Sequence, residues 1–218
     1  MIEFSKTIYY FTFFKNKQTR KDKIKFAGSK KCDDYHWGTL KKGKVRRRKR
    51  TVGTALNVNT LKNNNVIVIV GESPHRDEYR VSKGVCSTFT RPLCRCDTKI
   101  KEYLKKNSNN WFNSSLDYDV VIVNAIQYQC SFGLGLWGHP NNQNQRDKVF
   151  EWTWNHQPAK QDLLDRITGI ISNKNNVIIL NCCTKNLKKY CNASIFQRTN
   201  PNQIFLVFDE SHPSTWGK

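Results

Sequence analysis

The chain has 218 residues, with 37 Lys and Arg against 17 Asp and Glu, which gives a formal net charge of +20. No run approaches the ~20 apolar residues that a membrane helix requires, and the start of the chain lacks the basic and apolar regions of a secretory signal. Its 8 cysteines are therefore more plausible as reduced thiols or metal ligands than as disulfides. We expect an intracellular protein without membrane contact, cytoplasmic in a prokaryote or nuclear in a eukaryote.

The basic charge is concentrated near the start of the chain. Residues 1–50 hold 17 basic and 4 acidic residues, against 20 and 13 in residues 51–218. The predicted organisation is a basic N-terminal extension over 1–50 and an α/β domain over 51–218. Eight basic residues lie close together in the extension: Lys41, Lys42, Lys44, Arg46, Arg47, Arg48, Lys49 and Arg50. We expect them to contact phosphates, with DNA as the partner. A solvated tail or a nuclear-import signal would have the same composition.

Strands and helices alternate along most of the chain. Ile8–Phe14 has strand-like composition, whereas the residues from 15 to 50 lack periodicity and are predicted to form a loop-rich arm, or a small subdomain if further contacts hold it together. Helices are predicted near 99–106 and 163–171, and a short one around Leu187. Four apolar runs are predicted to be strands buried on both faces: Val66–Val70, Val120–Val123, Val177–Leu180 and Ile204–Phe208. This order predicts a three-layer α/β sandwich with a central, four-stranded, mostly parallel sheet.

Polar groups follow three of the predicted strands. Glu72 comes after the first strand, Asn124 ends the second, and His212 follows the fourth. Ligands of parallel sheets bind at the carboxyl ends of the strands, so a carboxylate, a carboxamide and an imidazole are expected at one edge. Each residue alone has an ordinary structural explanation, as a cap, a turn residue or a hydrogen-bonded histidine. Together they predict an active site.

The same segments carry a resemblance to a known family. Gly71-Glu72-Ser73-Pro74-His75 after an apolar strand resembles the first motif of the uracil-DNA glycosylase superfamily, and His212-Pro213-Ser214 resembles its second. Val123-Asn124-Ala125-Ile126 is similar to the family's base-reading strand. The resemblance covers roughly residues 60–214 and is closest to the branch with Glu directly after the Gly. It implies a glycosylase-like fold.

The resemblance also implies a reaction. Family members flip a base out of DNA and hydrolyse its N-glycosidic bond, which leaves an abasic site. Glu72 would hold the water and stabilise the oxocarbenium-like sugar, and His212 would stabilise the departing base anion. Asn124 would read the paired edge of a pyrimidine. No lysine stands at the strand ends for Schiff-base chemistry, so we expect a monofunctional DNA glycosylase acting on uracil or a modified pyrimidine in base-excision repair.

Further site residues follow from the resemblance. Phe89 lies where family members stack an aromatic ring on the flipped base, although it is equally plausible as a packing residue. Ser73 stands where other branches have a catalytic Asp, and His75 replaces the usual Tyr or Gly, so both are expected to bind the base. Ser214 and Trp216 are expected to contact DNA, Trp216 as a wedge in the vacated stack or else as a terminal packing residue.

Alternatives remain open at this stage. The enzyme could excise a bulky modified base from viral DNA, as a defence, or the chain could be a non-catalytic DNA-binding protein on the same scaffold. No cofactor is expected, because one cysteine precedes Gly71 where the family's iron–sulfur branch has two ligands. A zinc site is a minor option, with four candidate ligands: Cys32, His36, Cys94 and Cys96. We expect a monomer.

Overall fold

The computed structural model gives strand positions alone for residues 9–15, 18–24, 79–82 and 85–89. It describes side chains as well for residues 32–48, 55–73, 96–108, 112–127, 147, 150–151, 153–155, 159–192 and 201–216. Ten strands and two long helices lie in these parts of the chain. The strands are β1 (Tyr9–Lys15), β2 (Gln18–Ile24), β3 (Tyr35–Lys41), β4 (Lys44–Arg47), β5 (Asn65–Gly71), β6 (Tyr79–Ser82), β7 (Val85–Phe89), β8 (Asp117–Asn124), β9 (Asn176–Asn181) and β10 (Ile204–Asp209). The helices are α1 (Asp97–Asn107) and α2 (Ala159–Ile171).

A six-stranded mixed sheet forms the centre of the fold, in the order β10-β9-β5-β8-β3-β4. The first four of these strands are parallel, and they are the four that the apolar runs predicted. The predicted burial on both faces is wrong for β10, because it is an edge strand on which Ile204 and Leu206 are exposed. β3 and β4 extend the sheet in antiparallel orientation. The prediction of an α/β protein with parallel strands is confirmed, and the predicted number of four strands is wrong.

The two additional strands come from the predicted basic extension, so the loop-rich arm is wrong for residues 35–47. Trp37 and Leu40 are fully buried on β3, whereas β4 contributes one apolar residue, Val45, amid exposed basic side chains. A tight turn at Lys42 and Gly43 joins the strands, and both residues have positive φ, as two-residue hairpin turns require. Basic residues suit β4 because it is an edge strand, where charge discourages pairing with other chains.

Two further hairpins lie apart from the central sheet. β1 pairs with β2, which confirms strand structure for the Ile8–Phe14 run but adds a partner that the sequence did not predict. β6 pairs with β7 in the stretch between Gly71 and Cys96, which contains none of the predicted strands or helices. Around Leu187, successive turns with i to i+3 hydrogen bonds replace the predicted short helix.

The helices cover opposite faces of the sheet. α2 packs Leu163, Ile167 and Ile171 onto the face formed by Val68, Val121 and their alternate neighbours. On the other face, α1 packs Ile100 and Leu104 against a cluster that includes Ile67, Ile69 and Trp37. Because strand side chains alternate between faces, a run without polar residues is what a sheet covered on both sides needs. In the ranges with described residues, no helix is long and apolar enough to cross a membrane.

The strands of the central sheet that follow β5 and β9 in the chain lie on opposite sides of this pair: β8 is next to β5, and β10 is next to β9. The connection from β5 to β8 runs through α1 on one face, whereas the segment after β9 packs Leu187 and Cys191 on the opposite face. Adjacent strands whose connections leave to opposite faces define a topological switch point, which is where open α/β sheets bind ligands. The switch point lies between the carboxyl ends of β5 and β9.

Candidate functional site

The carboxyl ends of the parallel strands form one edge of the molecule. Glu72 follows β5, and Asn124 ends the adjacent β8 in register with Gly71. Backbone pairing continues one step further, since the Ile126 amide donates to the Glu72 carbonyl at 3.0 Å. His212 follows β10, which β9 separates from β5, so it is two strands removed from Glu72. The edge therefore brings Glu72 and Asn124 side by side, with the imidazole further along it.

Glu72 lies at the switch point and is 7 % exposed. Its Oε2 accepts a hydrogen bond from the Thr184 hydroxyl at 2.8 Å, which crosses from the segment after β9. This hydroxyl donor orients the carboxyl group of Glu72 and fixes one of its two oxygens. The contact of Thr184 with Glu72 was not predicted from the sequence. A polar residue just after the third buried strand was the available signal.

Two buried cysteines, Cys182 and Cys183, come directly after β9, and the charge of Glu72 acts on Cys183. Hydrogen bonding to Cys191, burial and the nearby charge of Glu72 all raise the pKa of the Cys183 thiol. Burial and the charge of Glu210 raise the pKa of the Cys182 thiol. Both groups therefore stay protonated at neutral pH, and neither is a nucleophile. Both cysteines are fully buried and belong to the core.

Asn124 is 1 % exposed, and its carboxamide contacts Cys32, a residue from the N-terminal part of the chain. Its Nδ2 donates to the Cys32 Sγ at 3.0 Å, and its Oδ1 is buried with no hydrogen-bond partner in the described ranges. The Cys32 amide donates to the Gln127 carbonyl at 2.8 Å, which fixes this segment against the end of β8. One of the two hydrogen-bonding functions of Asn124 is thus already engaged by the protein.

Arg166 of α2 connects the end of β8 with the segment that precedes β3. Its Nη2 donates to the Asn124 carbonyl at 2.9 Å, and its Nη1 and Nε donate to Asp34 at 2.7 Å and Asp162 at 2.8 Å. Burial opposes the charge of Arg166, but the two carboxylates outweigh it and raise the pKa of the guanidinium. The planar fork of an arginine suits such a buried multidentate role. Arg166 and Asp34 were not predicted from the sequence, because they are 132 positions apart and neither belongs to a local motif.

His212 begins a short 3-10 turn, Pro213–Thr215, and acts as its N-cap. Its Nδ1 accepts a hydrogen bond from the Ser214 amide at 3.2 Å, and the Ser214 Oγ lies 2.9 Å away. Because Nδ1 is an acceptor, the proton of the neutral ring is on Nε2. The half-buried imidazole can therefore offer an Nε2–H donor while remaining uncharged.

Trp216 is packed rather than presented to solvent. It is 5 % exposed, and its ring stacks on Tyr103 of α1 with 3.8 Å between centroids. The position expected to insert into DNA is thus occupied by a side chain that belongs to the core, in agreement with the alternative of a terminal packing residue. Ser214 is exposed, and its carbonyl accepts a hydrogen bond from Lys99.

The predicted base-binding residues Ser73, His75 and Phe89 are described to different extents. Ser73 is half-buried, with an Oγ that has no hydrogen-bond partner among the described groups. The predicted base-binding residue His75 lies outside the described residues, as do Lys49 and Arg50. Phe89 ends β7, but nothing further is described for its side chain. Their predicted roles stay predictions.

The predicted basic cluster is described from Lys41 to Arg48 as a hairpin with exposed charges, which lie on Lys41, Lys42, Lys44, Arg46, Arg47 and Arg48. Three of them have polar partners. Lys41 lies 3.6 Å from Asp117, Arg47 lies 3.0 Å from Asp97, and the Arg48 guanidinium lies 3.1 Å from His36. The turn of the hairpin lies at the amino edge of the parallel strands, where Lys41 pairs with Asp117. From there β4 runs toward the carboxyl edge that carries Asn124.

The zinc option involves residues with different surroundings. The His36 ring lies between Asp119, 3.1 Å from Nε2, and Arg48, so both ring nitrogens have partners. Cys32 accepts from Asn124, whereas Cys96 begins α1 within the cluster on the other face. Cys94 lies outside the described residues. Within the described ranges, no group of three or more His, Cys, Asp or Glu side chains is arranged to hold a metal ion.

Comparison with known proteins gives no assignment. No protein-family model matches the chain, and no curated protein or solved structure is significantly similar to it. The functional conclusion therefore depends on the site itself.

Proposed function

We propose that this protein is a monofunctional DNA glycosylase that hydrolyses the N-glycosidic bond of a flipped-out uracil or modified pyrimidine. The single observation that carries the proposal is the buried Glu72 carboxylate, held by Thr184 between β5 and β9 and adjacent to Asn124 on β8. In this proposal the fold is a glycosylase-like sandwich to which β3 and β4 add an antiparallel extension.

The proposed mechanism divides the work between two groups. Glu72 stabilises positive charge on the sugar and orients the attacking water, since a preorganised carboxylate acts strongly in a site with little water. His212 donates its Nε2 proton as a hydrogen bond to the base carbonyl, where negative charge develops on departure. A neutral donor of this kind needs no proton transfer. His212 follows β10, which β9 separates from β5. In this mechanism, binding of the substrate brings the imidazole and the Glu72 carboxylate together around the flipped nucleotide.

A second candidate is a DNA-binding protein without catalysis on the same scaffold. The observation that favours it is the engagement of Asn124, whose Nδ2 is already bound to Cys32 and whose side chain is buried. An Asn that reads a base must present its carboxamide to the ligand. For catalysis, the Cys32 contact would have to be exchanged for the base.

The test is base release from DNA duplexes and single strands that contain uracil, thymine mispairs, or hydroxymethylated or glucosylated cytosine, with alkali to cut abasic sites. We expect release of one of these bases by the wild type. Glu72→Gln should abolish turnover and leave DNA affinity nearly unchanged, because the substitution removes the charge and little else. Selective release of glucosylated cytosine would assign the defence role.

Thr184→Val is a graded companion to Glu72→Gln. It keeps the shape of Thr184 and removes the hydroxyl that donates to Glu72. Hydrogen bonds to charged groups contribute about 1.5–3 kcal/mol, so we expect kcat to fall by roughly tenfold to a hundredfold without a matching loss of DNA binding. DNA binding with no release of any base would instead support the non-catalytic scaffold.

A further inference from the structure

The edge strand β4 presents its two faces to different surroundings. Val45 packs against the core cluster on the α1 face, and Arg47 lies 3.0 Å from Asp97 at the start of α1. Successive side chains of a strand point to opposite faces. Lys44 and Arg46 therefore lie on the face away from α1. The basic hairpin is thus divided into an α1 side and an opposite side.

The opposite side carries the charges that have no acidic partner. Lys44 and Arg46 are exposed, and no ion pair involves either within the described ranges. Arg48 continues the same alternation, since its amide donates to the Trp37 carbonyl as in a strand ladder. Its guanidinium contacts His36, which is bound to Asp119 on that same side. The result is a row of three basic residues: Lys44, Arg46 and Arg48.

The row has a regular spacing and a defined direction. Alternate residues of a strand are about 6.8 Å apart, so the three charges of the row are evenly spaced along β4. β4 runs parallel to β8, because each is antiparallel to β3. The row therefore leads from the amino edge of the sheet toward the carboxyl edge, where Asn124 lies.

We propose that Lys44, Arg46 and Arg48 form a phosphate track that binds one strand of a nucleic acid along β4 and aligns it with the carboxyl edge. The inference rests on the proposed function for its choice of nucleic acid as the polyanion. It assigns contacts to one face of the hairpin, whereas the composition predicted contacts from all of the clustered basic residues. Arg47, on the other face, does not belong to the track.

The test compares two charge-matched double variants in DNA binding, measured by fluorescence anisotropy with a labelled duplex and a labelled single strand. Lys44→Gln/Arg46→Gln removes two charges of the track. The control, Lys101→Gln/Lys105→Gln, removes two exposed charges from α1 on the opposite face. Both variants lower the net charge equally, so a general electrostatic effect would weaken binding equally.

We expect the track variant to reduce the slope of log K against log salt by about 1.8 for a duplex, since each phosphate contact contributes about 0.9. Between 50 and 200 mM salt, the wild type should then lose about tenfold more affinity than the track variant. The control should keep the wild-type slope. Equal slopes for the two variants would overturn the track, even with base release intact.

The outcomes separate the track from the proposed function. Salt-sensitive binding that depends on the track, with no release of any base, would leave the track standing and overturn the glycosylase. Binding to heparin or anionic vesicles with no affinity for either DNA would overturn the track, because the partner would not be a nucleic acid. Melting temperatures of both variants, expected to match the wild type, exclude unfolding as the cause.

Discussion

Replacing Arg166 by Met tests the network behind Asn124. The side chain of Arg166 is 14 % exposed, and its partners Asp34 and Asp162 are 8 % and 9 % exposed. Methionine fills a similar volume but leaves both carboxylates without their cation and the Asn124 carbonyl without its donor. The variant should therefore destabilise the fold and loosen the end of β8.

The expected magnitude follows from burial. Removing one partner of a buried ion pair costs about 3–5 kcal/mol, because the remaining charge stays desolvated. At about 2–4 °C per kcal/mol for a chain of this size, the melting temperature should fall by about 10 °C. Arg166→Lys keeps the charge but cannot reach all three acceptors, so its loss should be smaller.

The pH dependence gives a second signature of this network. Burial raises the pKa of Asp34 even with Arg166 beside it, and loss of the guanidinium should raise it further. An acid whose pKa is higher in the folded state than in the unfolded chain costs stability as the pH rises above the unfolded value of about 3.9. The penalty of Arg166→Met should therefore be larger at pH 8 than at pH 4.

Thermal unfolding followed by circular dichroism at both pH values measures these effects. Adding Asp34→Asn to Arg166→Met should restore part of the stability, because it removes one of the stranded charges, and the two changes should be non-additive. A loss below about 1 kcal/mol for Arg166→Met at pH 8, or equal losses at pH 4 and pH 8, would refute the reasoning.

Two further predictions concern stability. Trp216→Ala should cost about 3–5 kcal/mol, because it removes a buried side chain and leaves a cavity beside Tyr103, whereas Trp216→Phe should retain much of the packing; unchanged melting of the Ala variant would contradict the packing role. Burial acts to raise the pKa of Asp119, but hydrogen bonds from His36 and the Asn63 amide lower it overall. Its contribution should thus be lost as the pH falls below about 4, so wild type and Asp119→Asn should converge in melting scans from pH 7 to pH 3.

The parallel part of the sheet could be predicted from the sequence because β5, β8 and β9 are buried on both faces, and β10, an exposed edge strand, is apolar as well. Val66–Val70 and Val177–Leu180 have no polar residue to satisfy, so their composition alone distinguishes them from surface elements. Polar residues directly after such runs then had to lie at one edge. That is why the positions of Glu72 and Asn124 relative to the strands could be predicted from the chain alone.

Tertiary structure decided the features that depend on contacts between distant residues. β3 and β4 were not predicted from the sequence. β3 mixes buried and polar residues, and β4 is an exposed, basic edge strand, so neither has a continuous apolar pattern. Thr184 and Arg166 are ordinary in their local sequence, and each gains its role from a partner more than 40 positions away. Local composition reports burial, whereas hydrogen bonds across the sheet depend on how the strands are ordered in space.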